Sequence, residues 1–147
     1  MATKKKTETE VSFSEHEIKH LEFIQGVVTR MGSNSFQMKG WMITIVSALL
    51  ALYSGTNNEA FLLFAILPTI LFWFLDTYYL QQERKFRGLY NDVAKVPENP
   101  NKIKPFAMPL NLYTGGKYSF LDVFTSETVL PLYAFVIVAL LVVSFVL

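Results

Sequence analysis

The chain has 147 residues and no cysteine, with 13 basic and 12 acidic side chains, 52% hydrophobic residues and only 17% charged ones. A soluble domain usually carries about 25% charge, so the composition is that of an integral membrane protein. The lack of Cys excludes a disulfide scaffold and a thiolate metal site, and a net charge of +1 supplies no general attraction to nucleic acid.

Residues 1–13 begin with Lys4, Lys5 and Lys6, then Glu8 and Glu10, the pattern of a disordered, solvated tail. At Ser14 a capping box opens, with Glu17 three residues on. Apolar residues at Ile18, Leu21, Ile24, Val28 and Met31 then predict a cytoplasmic amphipathic helix with Ile18 and Leu21 facing inward. Glu15, Glu17 and Glu22 sit near its start, where the helix dipole favours negative charge. The run Gly32-Ser33-Asn34-Ser35 either breaks this helix or passes through it as a weak kink. His16 to His20 reads His-Glu-Ile-Lys-His, the letters of a zinc-protease motif. A membrane metalloprotease would need a third ligand from Asp or Glu, because the chain has two His only. The plainer expectation is no metal and no cofactor, with both His as solvent-side residues of an amphipathic helix.

Three apolar blocks follow, at 40–53, 60–80 and 128–147. A bilayer core of about 30 Å needs roughly 20 helical residues. The second and third blocks meet that, and the first does so with its polar flank. No signal-peptide pattern fits, since the first block starts some 40 residues in. The turn 54–59 carries no Lys or Arg, and all 13 basic residues lie before the first block or between the second and third. The positive-inside rule then puts the N-terminus and 81–127 in the cytoplasm, with the 54–59 turn and the C-terminus on the other side. The first two blocks form an antiparallel transmembrane hairpin. Its second helix continues into the cytoplasm through good helix formers until Pro97 ends it. Pro97, Pro100, Pro105 and Pro109 predict a stiff non-helical stretch. Leu110–Thr125 is expected either as a small hairpin around Gly115-Gly116 or as an amphipathic segment on the inner membrane surface. The organisation is therefore 1–13 tail, 14–96 helix and hairpin, 97–127 cytoplasmic segment and 128–147 third transmembrane helix.

On a helical wheel Ala65, Thr69, Glu83 and Arg87 share the face of Asp76, the ionisable residue inside the second block. Such a residue is costly in hydrocarbon and is expected to face protein or to pair. Gly40, Thr44, Ser47, Ala51 and Ser54 form a small face on the first block, expected to meet Ala65–Thr69 at close range. Counted from the turn, Lys39 and Asp76 lie at similar depth and are expected as an ion pair, although Lys39 sits about 100° from the small face. Arg84 or Arg87 of a neighbouring subunit is the other partner considered, and a proton or ion site at Asp76 is the functional alternative.

The segments IQGVVTRMGSNSFQMKGW at 24–41 and FWFLDTYYLQQERKFRGLYNDV at 72–93 resemble a group of small bacterial membrane proteins. The layout is similar to SLATT-type two-transmembrane defence effectors. The residues carrying the likeness are Arg30, Asn34, Ser35, Lys39, Trp41, Asp76, Tyr79, Glu83 and Arg84. The resemblance implies a non-enzymatic, homo-oligomeric effector or sensor subunit in anti-phage defence, acting by membrane perturbation. A small channel or transporter, or a scaffold recruiting a cytosolic protein through 81–127, are the alternatives.

Overall fold

A computed structural model describes residues 13–146; the tail before Phe13, with Lys4, Lys5 and Lys6, lies outside the described residues. The fold is all-helical among them. Helix α1 spans Glu15–Thr56, 42 residues or about 63 Å. Ser14 caps it in the expected box: its backbone N–H donates to Glu17 Oε2 at 2.8 Å and the Glu17 N–H donates to Ser14 Oγ at 3.3 Å. Gly32-Ser33-Asn34-Ser35 passes straight through, so the amphipathic segment and the first apolar block are one helix. A mid-helix Gly costs about 1 kcal/mol against Ala, offset here by tertiary contacts on both sides of it.

Asn57, in the left-handed region at φ 51°, ends α1. The Asn58 carboxamide accepts from the Ala60 N–H at 3.0 Å, and α2 follows over Ala60–Val93, 34 residues with Pro68 inside it. The turn is thus shorter than 54–59. Helix α2 also stops earlier than Pro97. Lys95, at φ 57°, lets the Val96 N–H reach the Asn91 carbonyl and its own N–H reach that of Asp92, which is a Schellman ending. That backbone geometry stops the helix before the proline is reached.

The region expected as a hairpin forms two 3₁₀ turns, Leu110–Leu112 and Gly116–Tyr118, with the short helix α3 over Phe120–Phe124. Gly115 and Gly116 both take positive φ, which allows the tight fold-back that brings Tyr113 and Tyr118 together at 5.6 Å between ring centroids. Helix α4 covers Leu130–Val146, 17 residues. At about 25 Å it lies at the short end of the roughly 17–25 residues with which helices cross a bilayer. Among the described residues, α1 and α2 are the longer helices that are apolar enough to cross a membrane, and α4 is a shorter apolar helix.

The two long helices pack antiparallel along most of their length. Residues seven apart make the seam: Val28, Ser35, Met42 and Leu49 on α1, and Leu62, Thr69, Asp76 and Glu83 on α2. This seam carries two apolar clusters. Near the turn, Met42, Val46, Leu62 and Ala65 pack with Val129, Tyr133 and Leu140 from the α4 region. At the other end, Ile24, Val28, Leu89, Val93 and Tyr113 form the core of a small head. Polar residues separate them.

The expected close packing of small faces does not occur. Gly40, Thr44, Ser47, Ala51 and Ser54 are all exposed, whereas Ala65 is buried in the cluster of Met42 and Val46, and Thr69 is buried as well. The two expectations for α1 were about 100° apart on one helix, and the Lys39 side prevailed. Inward placement of Ile18 also fails: it is 46% exposed, while His20 is 2% exposed and takes the interior position.

Candidate functional site

Two polar sites lie on the α1–α2 seam. The first is the layer between the apolar clusters. Asp76 is fully buried, and an isolated carboxylate there would be strongly disfavoured. Its two oxygens are met by residues one turn apart on α1. Ser35 donates its hydroxyl to Oδ1 at 2.5 Å, and Lys39 Nζ lies 2.5 Å from Oδ2. The latter contact is an ion pair by distance but is not aligned as a hydrogen bond. Lys39 also donates to Ser35 Oγ at 3.2 Å, closing a three-residue node. The Tyr133 hydroxyl of α4 donates to the Phe72 carbonyl at 3.4 Å, one turn before Asp76. Trp73 is sandwiched between Phe124 at 4.1 Å and Tyr133 at 5.8 Å, and its indole N–H donates to the Phe124 carbonyl. This stack fixes α3 and α4 against α2 beside the node.

The remaining sequence candidates separate into distinct roles. Glu83 is buried on the Asp76 face and accepts from Arg87 Nε at 2.8 Å, one turn on. Arg87 itself reaches outward, with 65% of its side chain exposed. Arg84 points away from the seam, with Nη1 3.4 Å from the Lys117 carbonyl. Arg30 is exposed and forms no ion pair among the described residues, and Asn34 is half-buried. The structure thus joins Lys39, Ser35 and Asp76, and leaves Arg30 and Asn34 outside that node.

The second site was not legible in the sequence. A cleft of about 720 Å³ opens in the head between the start of α1, the end of α2 and the proline-rich segment. Asp92, 7% exposed, forms one wall. Its carboxylate accepts from Tyr113 Oη at 2.6 Å and from the Asn101 side-chain amide at 2.8 Å. Burial, then the bond to Asp92, pushes the Tyr113 hydroxyl pKa upward, so it keeps its proton and remains a donor. His20 forms part of another wall, with no protein partner for its buried Nε2. Phe106, at φ 60°, covers it with ring centroids 5.7 Å apart, while His16 meets that ring edge-on at 6.5 Å. No third His, Asp or Glu converges with the two His among the described residues. The sequence signal was an acidic residue, Asp92, beside Val93 on the apolar face of the last helical turn.

Glu17 and Lys95 close the cleft rim with an ion pair of 2.9 Å. The Ser14 backbone N–H, then Lys95, then the Ser14 hydroxyl lower the Glu17 pKa to about 2. A depressed folded pKa gives stability that is present above the unfolded value, about 4.3, and is lost as pH falls toward 2. Acidification from pH 5 to 2 should therefore loosen the α1 cap and the Lys95 contact together. Two-dimensional NMR of the Ser14 and Glu17 amides should show one shared midpoint well below 4, raised toward 4 in Lys95→Met. A wild-type midpoint near 4 would refute it.

Comparison with protein-family models, with curated proteins and with solved structures finds no match to this chain. The class rests on the fold: an all-helical protein built on two long apolar helices.

Proposed function

We propose that this chain is a non-enzymatic inner-membrane effector or sensor subunit, with the hairpin in the bilayer and the head in the cytoplasm. The observation that carries the reading is mechanical continuity. Helices α1 and α2 run unbroken from the head cleft to the distal turn, so a rearrangement at the cleft is transmitted along rigid rods past the Asp76 node.

Membrane insertion is supported by what the helices leave uncovered. Only 17% and 28% of the most apolar windows of α1 and α2 are buried within the protein, unlike core helices of a soluble fold. Phe36, Trp41, Ile43 and Leu52 on α1 and Leu63, Phe64, Leu67 and Phe74 on α2 are exposed. Phe36 to Thr56 measures about 30 Å along the axis, the thickness of the hydrocarbon core. Trp41 and Tyr78 then fall near the inner boundary, where aromatic side chains are favoured. The exposed face of Gly40, Thr44, Ser47, Ala51 and Ser54, unused within the chain, is the surface we assign to self-association. Closure of Asp76 by residues of its own chain argues against a transporter path through that carboxylate. The SLATT-like layout favours phage defence as the setting.

Alkaline phosphatase fused after Leu147 should be active and a fusion after Asn101 inactive; activity after Asn101 would overturn the orientation. Induced expression in a bacterium should depolarise the inner membrane, read with a potential-sensitive dye. Normal growth and an intact potential at high membrane levels of the protein would refute the effector reading.

A further inference from the structure

We propose that the head cleft binds a small organic ammonium compound, recognised by His20, Asp92 and Glu98. The inference deepens the reading of the head as the sensing end, because it supplies the class of ligand sensed. Three features select that class.

The first is an unmet polar atom. His20 lines the cleft and is 2% exposed, yet its Nε2 has no partner. Buried polar atoms are normally hydrogen-bonded, and an imidazole nitrogen that carries no proton offers a lone pair to an N–H donor. The second is charge. Glu17, Asp92 and Glu98 line the cleft against Lys95 and Lys102. Lys95 is already spent on Glu17. Asp92 has neutral donors only, Tyr113 and Asn101, and forms no ion pair among the described residues. An anion entering here would meet an uncompensated buried carboxylate, whereas an ammonium group would neutralise it.

The third feature is the aromatic cover. Phe106 follows Pro105 of the cleft wall and lies over His20. It is 54% exposed and holds a backbone conformation that bulky residues rarely adopt. The face of this ring, beside the cleft, attracts a cation. A bare metal ion is the poorer fit, because no set of three ligating side chains converges there among the described residues. The volume, about 720 Å³, is in the range of pockets for small organic molecules.

The test uses the full chain in detergent micelles with ¹⁵N-labelled histidine. Putrescine and n-butylamine are titrated against inorganic phosphate and potassium chloride at matched ionic strength. The amines should shift the His20 imidazole resonances saturably, and phosphate and potassium chloride should not. Glu98→Gln, at an exposed position that does not hold the fold, should weaken the amine response at least threefold. Asp92→Asn should weaken it at least tenfold. A saturable response to phosphate alone would overturn the proposal in favour of an anion site, and so would no response to any probe. Equal amine affinity in wild type and Glu98→Gln would also overturn it. Binding in micelles and depolarisation in cells are read separately, so failure of the ligand proposal is distinct from failure of the effector reading.

Discussion

Lys39→Met should destabilise the protein by about 3 kcal/mol, and Asp76→Asn by less, about 1–2 kcal/mol, whereas the double variant should lie within about 1 kcal/mol of wild type. The asymmetry follows from burial. Removing Lys39 leaves a carboxylate with no exposure at all, held by the Ser35 hydroxyl alone. Removing the Asp76 charge leaves an ammonium whose side chain is 23% exposed, and its long stem can carry the charge toward water or headgroups. Replacing both partners removes the buried charge and its counter-charge together, which is often close to neutral. Asn keeps the shape of Asp and Met is one atom shorter than Lys, so overpacking does not confuse the cycle. Denaturant unfolding in micelles gives the four free energies. Additive single effects would show that the two residues do not act as a pair. Ser35→Ala should cost about 1.5–3 kcal/mol, the usual net worth of a hydrogen bond to a charged group.

Gly88→Ala should loosen the head by about 1–2 kcal/mol net, although Ala is intrinsically the better helix former. A Cβ on Gly88 would lie 2.6 Å from Tyr118 Oη and 2.7 Å from Tyr113 Cδ1. Neither ring can easily retreat. Tyr113 is buried and tied to Asp92, and Tyr118 packs on Tyr113. Helix propensity returns about 1 kcal/mol to the variant, less than the strain of overpacking a fixed core is expected to cost. Hydrogen exchange should quicken around Tyr113 and Asn101 while the Lys39–Asp76 region stays protected. Gly26→Ala and Gly32→Ala, with open space around their Cβ positions, should instead stabilise α1 by up to about 1 kcal/mol each. A stable Gly88→Ala with unchanged exchange would refute the close approach.

The sequence by itself determined the helical class, the position of the turn, the Ser14 cap and the face on which Ala65, Thr69, Asp76 and Glu83 lie. All of these depend on local chemistry: helical periodicity, side-chain capping and the separation of apolar blocks by polar residues. Equal depth of Lys39 and Asp76 was also readable, because axial rise fixes depth along a hairpin. Tertiary structure alone decided which face of α1 docks on α2. A wheel ranks faces by composition, but two faces about 100° apart were both plausible, one small and one bearing Ser35 and Lys39. The buried Asp76 carboxylate selected the second, since an uncompensated charge costs more than the packing gained by close backbone approach. The same limit applied to the head. His20 replaced Ile18 inside, and Asp92 found Tyr113 and Asn101, because segments far apart in sequence fold over the end of the hairpin. Neither residue carries a local signal of its partner, and only the folded chain brings them to one cleft.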